Sequence, residues 1–214
     1  MVMVTISASY GAGGSVVGPR VAERLGVPFV DRAIPVDVAH ELGISADEAE
    51  ELSRNITGRW PRFLAAMASL SYDFALPMAK EVTGEDSDLV ECTGDYLHRL
   101  AQEGGAVVLG HAAAVVLAGR PDALHVRFDG PAEARVAAAM RQHGIDHDTA
   151  YAQLRENDRL RSGYVTHFHH VDASDPALYD LVLDTTRLGW QQAEDIVVYA
   201  AGLGGRAAAD PDSH

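Results

Sequence analysis

A short window between a β-branched run and an amphipathic one carries the clearest chemical signal in this chain. Residues Ala8 to Ser15 read A-S-Y-G-A-G-G-S, with glycine at 11, 13 and 14. Glycine admits positive φ and close backbone approach, and a helix starting just beyond it offers unpaired N–H groups and the positive end of its dipole. Together they can cradle phosphate oxygens without a charged side chain. Against the pattern G-x-x-x-x-G-K-[ST], Ala8 replaces the first glycine, Gly14 replaces the lysine, and Ser15 keeps the hydroxyl that would ligate Mg²⁺. The same glycines would also suit a turn that only packs a helix onto a sheet. The position directly after the first strand favours phosphate.

Without the lysine, charge on a bound polyphosphate must be offset by other cations. Of 17 basic residues, six lie between Arg127 and Arg161. Arg135 and Arg141 fall on one expected helix. Arg155, Asp158, Arg159 and Arg161 fall at the end of the next, where Arg155, Asp158 and Arg161 are spaced i, i+3, i+6 and can line one side. A solvated, salt-bridged face is the bland alternative for such a run. His167, His169 and His170 invite a metal reading, but only Asp172 stands near as a further ligand, so a titratable or merely solvated loop is the stronger expectation. If His111 or His167 touches phosphate, nucleotide binding should tighten below pH ~6.5. Arg54, Arg59 and Arg62 flank Trp60, with Phe63, Tyr72 and Phe74 beyond. That cluster could stack on a base, although an aromatic face closing a small local core is favoured.

The elements that must position these groups follow from periodicity. Strands are expected at Val2–Ile6, Val27–Val30, Ala106–Leu109, Ala123–Phe128 and Leu181–Asp184. A helix with Val17, Val21, Ala22 and Leu25 on one face stops at Gly26. Further helices are expected at Ala46–Ser53, Arg62–Ala79, Asp88–Glu103, Pro131–His143, His147–Arg161 and Gly189–Ala201. Short apolar strands alternating with amphipathic helices make an α/β fold, a doubly wound five-stranded parallel sheet with helices on both faces. The 214 residues suit a single domain over 1–201, with a helical insertion at 44–86, a lid region at 141–176 and a disordered tail at 202–214. Both extra segments should cover the carboxyl edge of the sheet, where such folds bind ligands.

With 47% hydrophobic and 22% charged residues, a large core is available and global disorder is excluded. A net charge of −14 argues against non-specific binding to a nucleic-acid polymer or an anionic membrane. Cys92, the single cysteine, can form no internal disulfide and no thiolate zinc site by itself. The most apolar stretch, Ala106 to Leu117, is too short to span a bilayer, and the N-terminus reads directly as a strand, not a leader. A cytoplasmic protein is expected.

The order of these segments resembles the nucleoside monophosphate kinases, and most closely the cytidylate kinase-like family. TISASYGAGGSVVGPRVAERLGVPFVDR is similar to that family's opening strand, glycine loop, first helix and second strand. VVLGHAA resembles its third strand and turn, HVRFDGPAEARVAAAM its fourth strand and the start of its mobile lid. LRENDRLRSGY resembles the R-x-x-D-x-x-R lid signature, and LYDLVLDTTRLGWQQAEDIV the last strand, base-contacting loop and C-terminal helix. The resemblance implies a P-loop kinase fold that transfers a phosphoryl group from ATP·Mg²⁺ to a pyrimidine nucleoside monophosphate such as CMP or dCMP. It implies that Gly11, Ala12, Gly13, Gly14, Ser15 and Val16 wrap the donor phosphates, with Ser15 facing Mg²⁺. Asp31, Arg32 and His111 would border the monophosphate. Arg135, Arg155, Asp158 and Arg161 would close from the lid, and Thr185, Thr186 and Arg187 would lie near the donor base.

Some positions depart from that pattern. Gly14 stands where ordinary cytidylate kinases have lysine, Ser15 where the related branch tends to have arginine, and Leu109–Gly110–His111 replaces an Asp-Gly-Arg turn. Tyr164 to His170 replaces a more basic lid stretch. These departures leave a second reading, a nucleotide-binding module with weakened transfer that serves as a sensor or scaffold. On the kinase reading, Gly14→Lys together with His111→Arg is expected to raise transfer.

Overall fold

The computed structural model describes residues 2–31, 85–110 and 112–207. Five strands, β1 (Met3–Ala8), β2 (Phe29–Val30), β3 (Val107–Leu109), β4 (Ala123–Asp129) and β5 (Leu181–Asp184), form one parallel sheet in the order β2-β3-β1-β4-β5. The described helices are α1 (Gly14–Leu25), α2 (Glu85–Glu103), α3 (Ala113–Val116), α4 (Ala132–His143), α5 (His147–His169), α6 (Thr185–Leu188) and α7 (Trp190–Ala207), with a 3₁₀ turn at Pro176–Leu178. This is the α/β arrangement that the alternation of strand and helix patterns implies. Leu181–Asp184 coincides with its expected strand, and the other four fall within two residues of theirs.

Because side chains alternate across a strand, β1 and β4 each feed two cores. Val4, Ile6, Ala8, Val126 and Phe128 pack on Val17, Val21 and Ala22 of α1 and on Val197 and Ala201 of α7. Met3, Ala106 and Val108 meet Leu97 and Ala101 of α2, Ala113 of α3 and Leu117 on the other face. Each fully buried Val, Leu or Phe here contributes about 1.5–3 kcal/mol. That second face also carries a polar row. Thr5 lies opposite His125 and Ser7 opposite Arg127 in the β1–β4 register, and Thr5 Oγ1 sits 2.8 Å from His125 Nδ1. The row leads from the buried sheet to its carboxyl edge.

Two helices run well past their expected ends, and two short ones have no expected counterpart. α5 runs eight residues beyond Arg161, so His167 and His169 lie on a helix and not on a loop, and His170 closes it in the left-handed region (φ 56°). Asp146 caps the start by accepting from Thr149 N at 2.8 Å. At the far end Tyr164 and Phe168, one turn apart, hold their rings 5.1 Å apart, a helical pairing hidden by the polar composition around it. α7 continues through Ala207, six residues into the segment expected to fray. α3 and α6, four residues each, were too short to leave a period in the sequence. The helices expected at Ala46–Ser53 and Arg62–Ala79, and the cluster around Trp60, lie outside the described residues, as do all of the 44–86 insertion but its last two positions. No described helix is long and apolar enough to cross a membrane.

Candidate functional site

The turn between β1 and α1 is held by a named neighbour at every residue. The Ala8 carbonyl accepts from Arg161, and Ser9 Oγ accepts from Arg127 at 3.3 Å. Tyr10, 1% exposed, packs its ring against Val136 and Ala139 of α4 and Ala150 and Leu154 of α5. Its hydroxyl donates to Gln153 Oε1, its N–H donates to Asp158 Oδ1 at 3.1 Å, and its carbonyl accepts from Arg135 at 3.0 Å. A Cβ at Gly11 (φ 74°) would strike the Arg135 carbonyl, and one at Gly13 (φ 80°) the indole of Trp190. The Ala12 carbonyl accepts from the Thr185 hydroxyl at 2.8 Å. Glycine at 11 and 13 is therefore required by close packing and by backbone sign at once. The turn is tightly packed, and that packing fixes the shape of the loop.

Gly14 opens α1 and is buried. A Cβ there would lie 2.6 Å from Ala8 Cβ and 2.9 Å from Leu109 Cδ1. The direction a lysine stem would take is filled by two apolar side chains, so the missing ammonium has no vacant seat. Gly13 provides no side-chain cap for α1, and the first-turn N–H groups of a helix have no partner within it. Above them a small hollow of about 20 Å³ is bordered by Ser9, Tyr10, Gly11, Gly13, Gly14, Ser15 and Arg161. Ser15 is exposed, Val16 half-buried. The loop thus offers backbone donors and one hydroxyl to an anion.

Beside it lies a larger cavity of about 280 Å³, at the carboxyl ends of β1, β3 and β4 and under α3, α5 and the 172–179 segment. Three arginines and three carboxylates, Arg127, Arg135, Arg161, Asp129, Asp158 and Asp172, line it. Arg135 donates to Asp158 Oδ2 at 2.8 Å and to Gly130 O at 2.9 Å. Arg127 grips Asp129 through Nε (3.2 Å) and a terminal nitrogen (2.8 Å), donates to Ala173 O at 2.7 Å, and sits 5.8 Å from the Tyr179 ring centre. Burial would raise the Asp129 carboxyl, but the Arg127 bond and the Gly130 N–H hold it below the usual carboxylate range. Burial also pushes the Tyr164 phenol, at the cavity wall, up to about 12, so it stays a neutral hydrogen-bonding group.

The structure therefore brings Arg135, Asp158 and Arg161 together with Gly11, Ala12, Gly13, Gly14 and Ser15. Arg155 is not among them: it is exposed and outside the cavity lining, on a different side of α5. Thr185 is buried and braces the loop, while Arg187 is exposed on α6. Asp31 follows the edge strand β2 and does not line the cavity. Arg32 and His111 lie outside the described residues. His167 is exposed with its ring edge-on to Phe168 at 4.8 Å and does not face the cavity. His169 is half-buried, its imidazole pushed below its ordinary value by burial and by His170. Among the described residues no group of three His, Cys, Asp or Glu could hold a metal ion.

Sequence reasoning missed Arg127, Asp129, Tyr10 and Trp190 as parts of this site. The first pair had a readable signal, because two charges two residues apart at the end of a strand point to one face. Tyr10 and Trp190 had none, since their roles are set by tertiary packing.

The model of a family described as "cytidylate kinase-like family" matches residues 3–187. A cytidylate kinase from Methanopyrus kandleri is 26% identical over 212 residues, covering 94% of this chain and 93% of its own. A cytidylate kinase from Methanocaldococcus jannaschii is 30% identical over 91 residues, 41% of this chain and 51% of its own. Among solved structures, an uncharacterized protein from Eubacterium ventriosum superposes with a TM-score of 0.64 at 16% identity, over 94% of this chain and 99% of that one, a likeness of fold alone.

Proposed function

The chain belongs to the cytidylate kinase-like family, and from that premise we propose that it transfers the γ-phosphoryl group of ATP to a pyrimidine nucleoside monophosphate such as CMP or dCMP, with Mg²⁺. The observation that carries this reading is the convergence of Arg135, Asp158 and Arg161 on the backbone of Ala8 and Tyr10, beside the uncapped start of α1. Such a transfer needs no protein nucleophile. It needs two phosphates in line, shielded from water and surrounded by positive charge.

In this scheme the first-turn N–H groups of α1 and the loop take the donor phosphates. An oxygen of the acceptor phosphate attacks the γ-phosphorus, the bond to the β–γ bridging oxygen breaks, and ADP leaves with that electron pair. Arg135 and Arg161 would offset charge on the transferring group. Asp158 holds Arg135 and the Tyr10 N–H in place. Thr185 fixes the loop through Ala12, and its neighbour Arg187 remains at the surface on the donor side. Ser15 would offer its hydroxyl to Mg²⁺, which usually keeps several waters and binds through substrate phosphates. The ion would neutralise charge on the donor. Asp31, Arg32 and His111 keep their proposed place at the acceptor.

A specific observation also favours the second reading, a nucleotide-binding module with weakened transfer: Leu109 and Ala8 close the lysine position. Product analysis separates the two. The folded protein is incubated with ATP·Mg²⁺ and, separately, CMP, dCMP, UMP and AMP. A diphosphate from CMP or dCMP is expected. ATP binding with no product from any acceptor would establish the second reading and overturn the first.

A further inference from the structure

We propose that Arg127 is a phosphate-facing residue of this site, a fixed cation supplied by the sheet in place of the loop lysine that Gly14 excludes; the inference rests on the kinase reading above. Three guanidinium groups converge on three successive loop residues. Arg161 donates to Ala8 O, Arg127 to Ser9 Oγ at 3.3 Å, and Arg135 to Tyr10 O at 3.0 Å. Arg135 and Arg161 come from α4 and α5, so their positions depend on how those helices sit. Arg127 comes from β4, paired in register with Ser7 of β1. It alone of the three is set by the sheet that also sets the loop.

The surroundings of Arg127 fit that role. Its side chain is 14% exposed and lines the cavity. Asp129 accepts from Nε and one terminal nitrogen, Ala173 O from the other, and Ser9 Oγ takes a longer contact. The 3.3 Å hydroxyl contact is the longest of the four and the easiest to exchange for a phosphate oxygen. The carboxylate behind it keeps a half-buried arginine charged and aimed, and a guanidinium held in this way still donates charge-assisted hydrogen bonds. A lysine at position 14 would have brought one positive charge to the loop from within the fold. Arg127 brings one from the neighbouring strand.

The competing explanation is that Arg127 only ties down the segment at Ala173. Tyr179 supplies the comparison, because its hydroxyl donates to the same Ala173 carbonyl at 2.8 Å and carries no charge. The test uses the full chain as Arg127→Met, Arg127→Lys and Tyr179→Phe, with thermal unfolding of each as a control for folding. Binding of inorganic tripolyphosphate is measured by calorimetry, and transfer from ATP·Mg²⁺ to CMP by steady-state kinetics. Arg127→Met is expected to weaken tripolyphosphate by at least tenfold and to lower kcat by about 100-fold, the usual cost of one lost donor to developing charge. Arg127→Lys should recover part of the tripolyphosphate affinity, and Tyr179→Phe should leave both quantities within twofold. Equal affinity and turnover in wild type and Arg127→Met would overturn the inference while leaving the kinase reading intact. So would the same loss in Tyr179→Phe, or no recovery of affinity in a folded Arg127→Lys. A wild type that binds tripolyphosphate through Arg127 yet phosphorylates no monophosphate would instead overturn the kinase reading and keep the contact. A wild type that binds no tripolyphosphate would overturn the inference, and one that also yields no diphosphate would overturn both.

Discussion

On the strand side of the cavity, Arg127 and Asp129 leave β4 two residues apart and bind each other, while Ala8 and Leu109 press on Gly14 from β1 and β3. On the helix side, Arg135, Asp158 and Arg161 reach across to the loop and bond its backbone. The first set is fixed by strand register and exists whether or not anything sits on the loop. The second set exists only while α4 and α5 stay docked. A phosphate-handling site needs both kinds: a rigid frame that sets where charge is received, and a movable part that closes over it and excludes water. Here the usual division is shifted, because the frame has closed its lysine position and carries an arginine–aspartate pair one strand away.

The largest effect expected from breaking the strand side is that of Gly14→Lys. The sequence alone suggests that Gly14→Lys together with His111→Arg would raise transfer. The structure argues against the first of these, since the new Cβ would have to displace Ala8 or Leu109. Overpacking of this kind costs about 1–3 kcal/mol, and the distorted loop should lose nucleotide. Urea denaturation and turnover measured on the same preparation check this. A stable variant with faster transfer would show that the frame is not closed at this position, with or without His111→Arg.

The helix side is sharpened by a pair of substitutions on α5. Arg161 bonds the loop, whereas Arg155, six residues earlier, is exposed and outside the cavity. Arg161→Ala is expected to lower kcat by about 100-fold, and Arg155→Ala to leave it within twofold, both read by steady-state kinetics with saturating ATP. Equal losses would mean that α5 docks differently during turnover from the arrangement described. Normal binding and turnover in Arg161→Ala would remove Arg161 from the reaction and leave the helix side to Arg135 and Asp158.

These two tests mark what was legible in the sequence. The five strands, their alternation with helices and the glycine loop were readable because strand length, β-branching and the glycine spacing are local properties. The i, i+3, i+6 set on α5 was readable only in part. At 100° per residue its members spread across about 120° of the helix surface, so Asp158 and Arg161 can face the loop while Arg155 turns away. The end of α5 was hidden for another reason. Its helix is held by Asp146 at one end and by the Tyr164–Phe168 ring pair near the other, and neither makes a long apolar period. Tyr10 was hidden most completely. In the sequence it is one unassigned position just before the first glycine, and only tertiary packing makes it the plug between α4 and α5.

The smallest effect contrasts the two sides through their histidines. His125 on β4 is 7% exposed, its Nδ1 against Thr5. Burial pushes its imidazole below the ordinary value, with Asp180 and a backbone group pulling weakly the other way. His169 on α5 is lowered by burial and by His170, but is less enclosed. In the unfolded chain both titrate near pH ~6.5. As pH falls through that value the unfolded state takes protons first, so the stability these residues confer is present above it and is lost on the way down to their folded values. His147 works in the opposite direction. Glu133 and then Asp148 raise it, so its contribution is full below pH ~6.5 and fades above, which blunts the net slope. Urea midpoints at about pH 7.5 and 5.5, above the carboxylate range, should therefore fall modestly in the wild type. His125→Gln should flatten the fall more than His169→Gln, because the strand side encloses its imidazole more tightly. A larger flattening in His169→Gln would place the stricter enclosure on α5, and with it the rigid half of the site on the helix side.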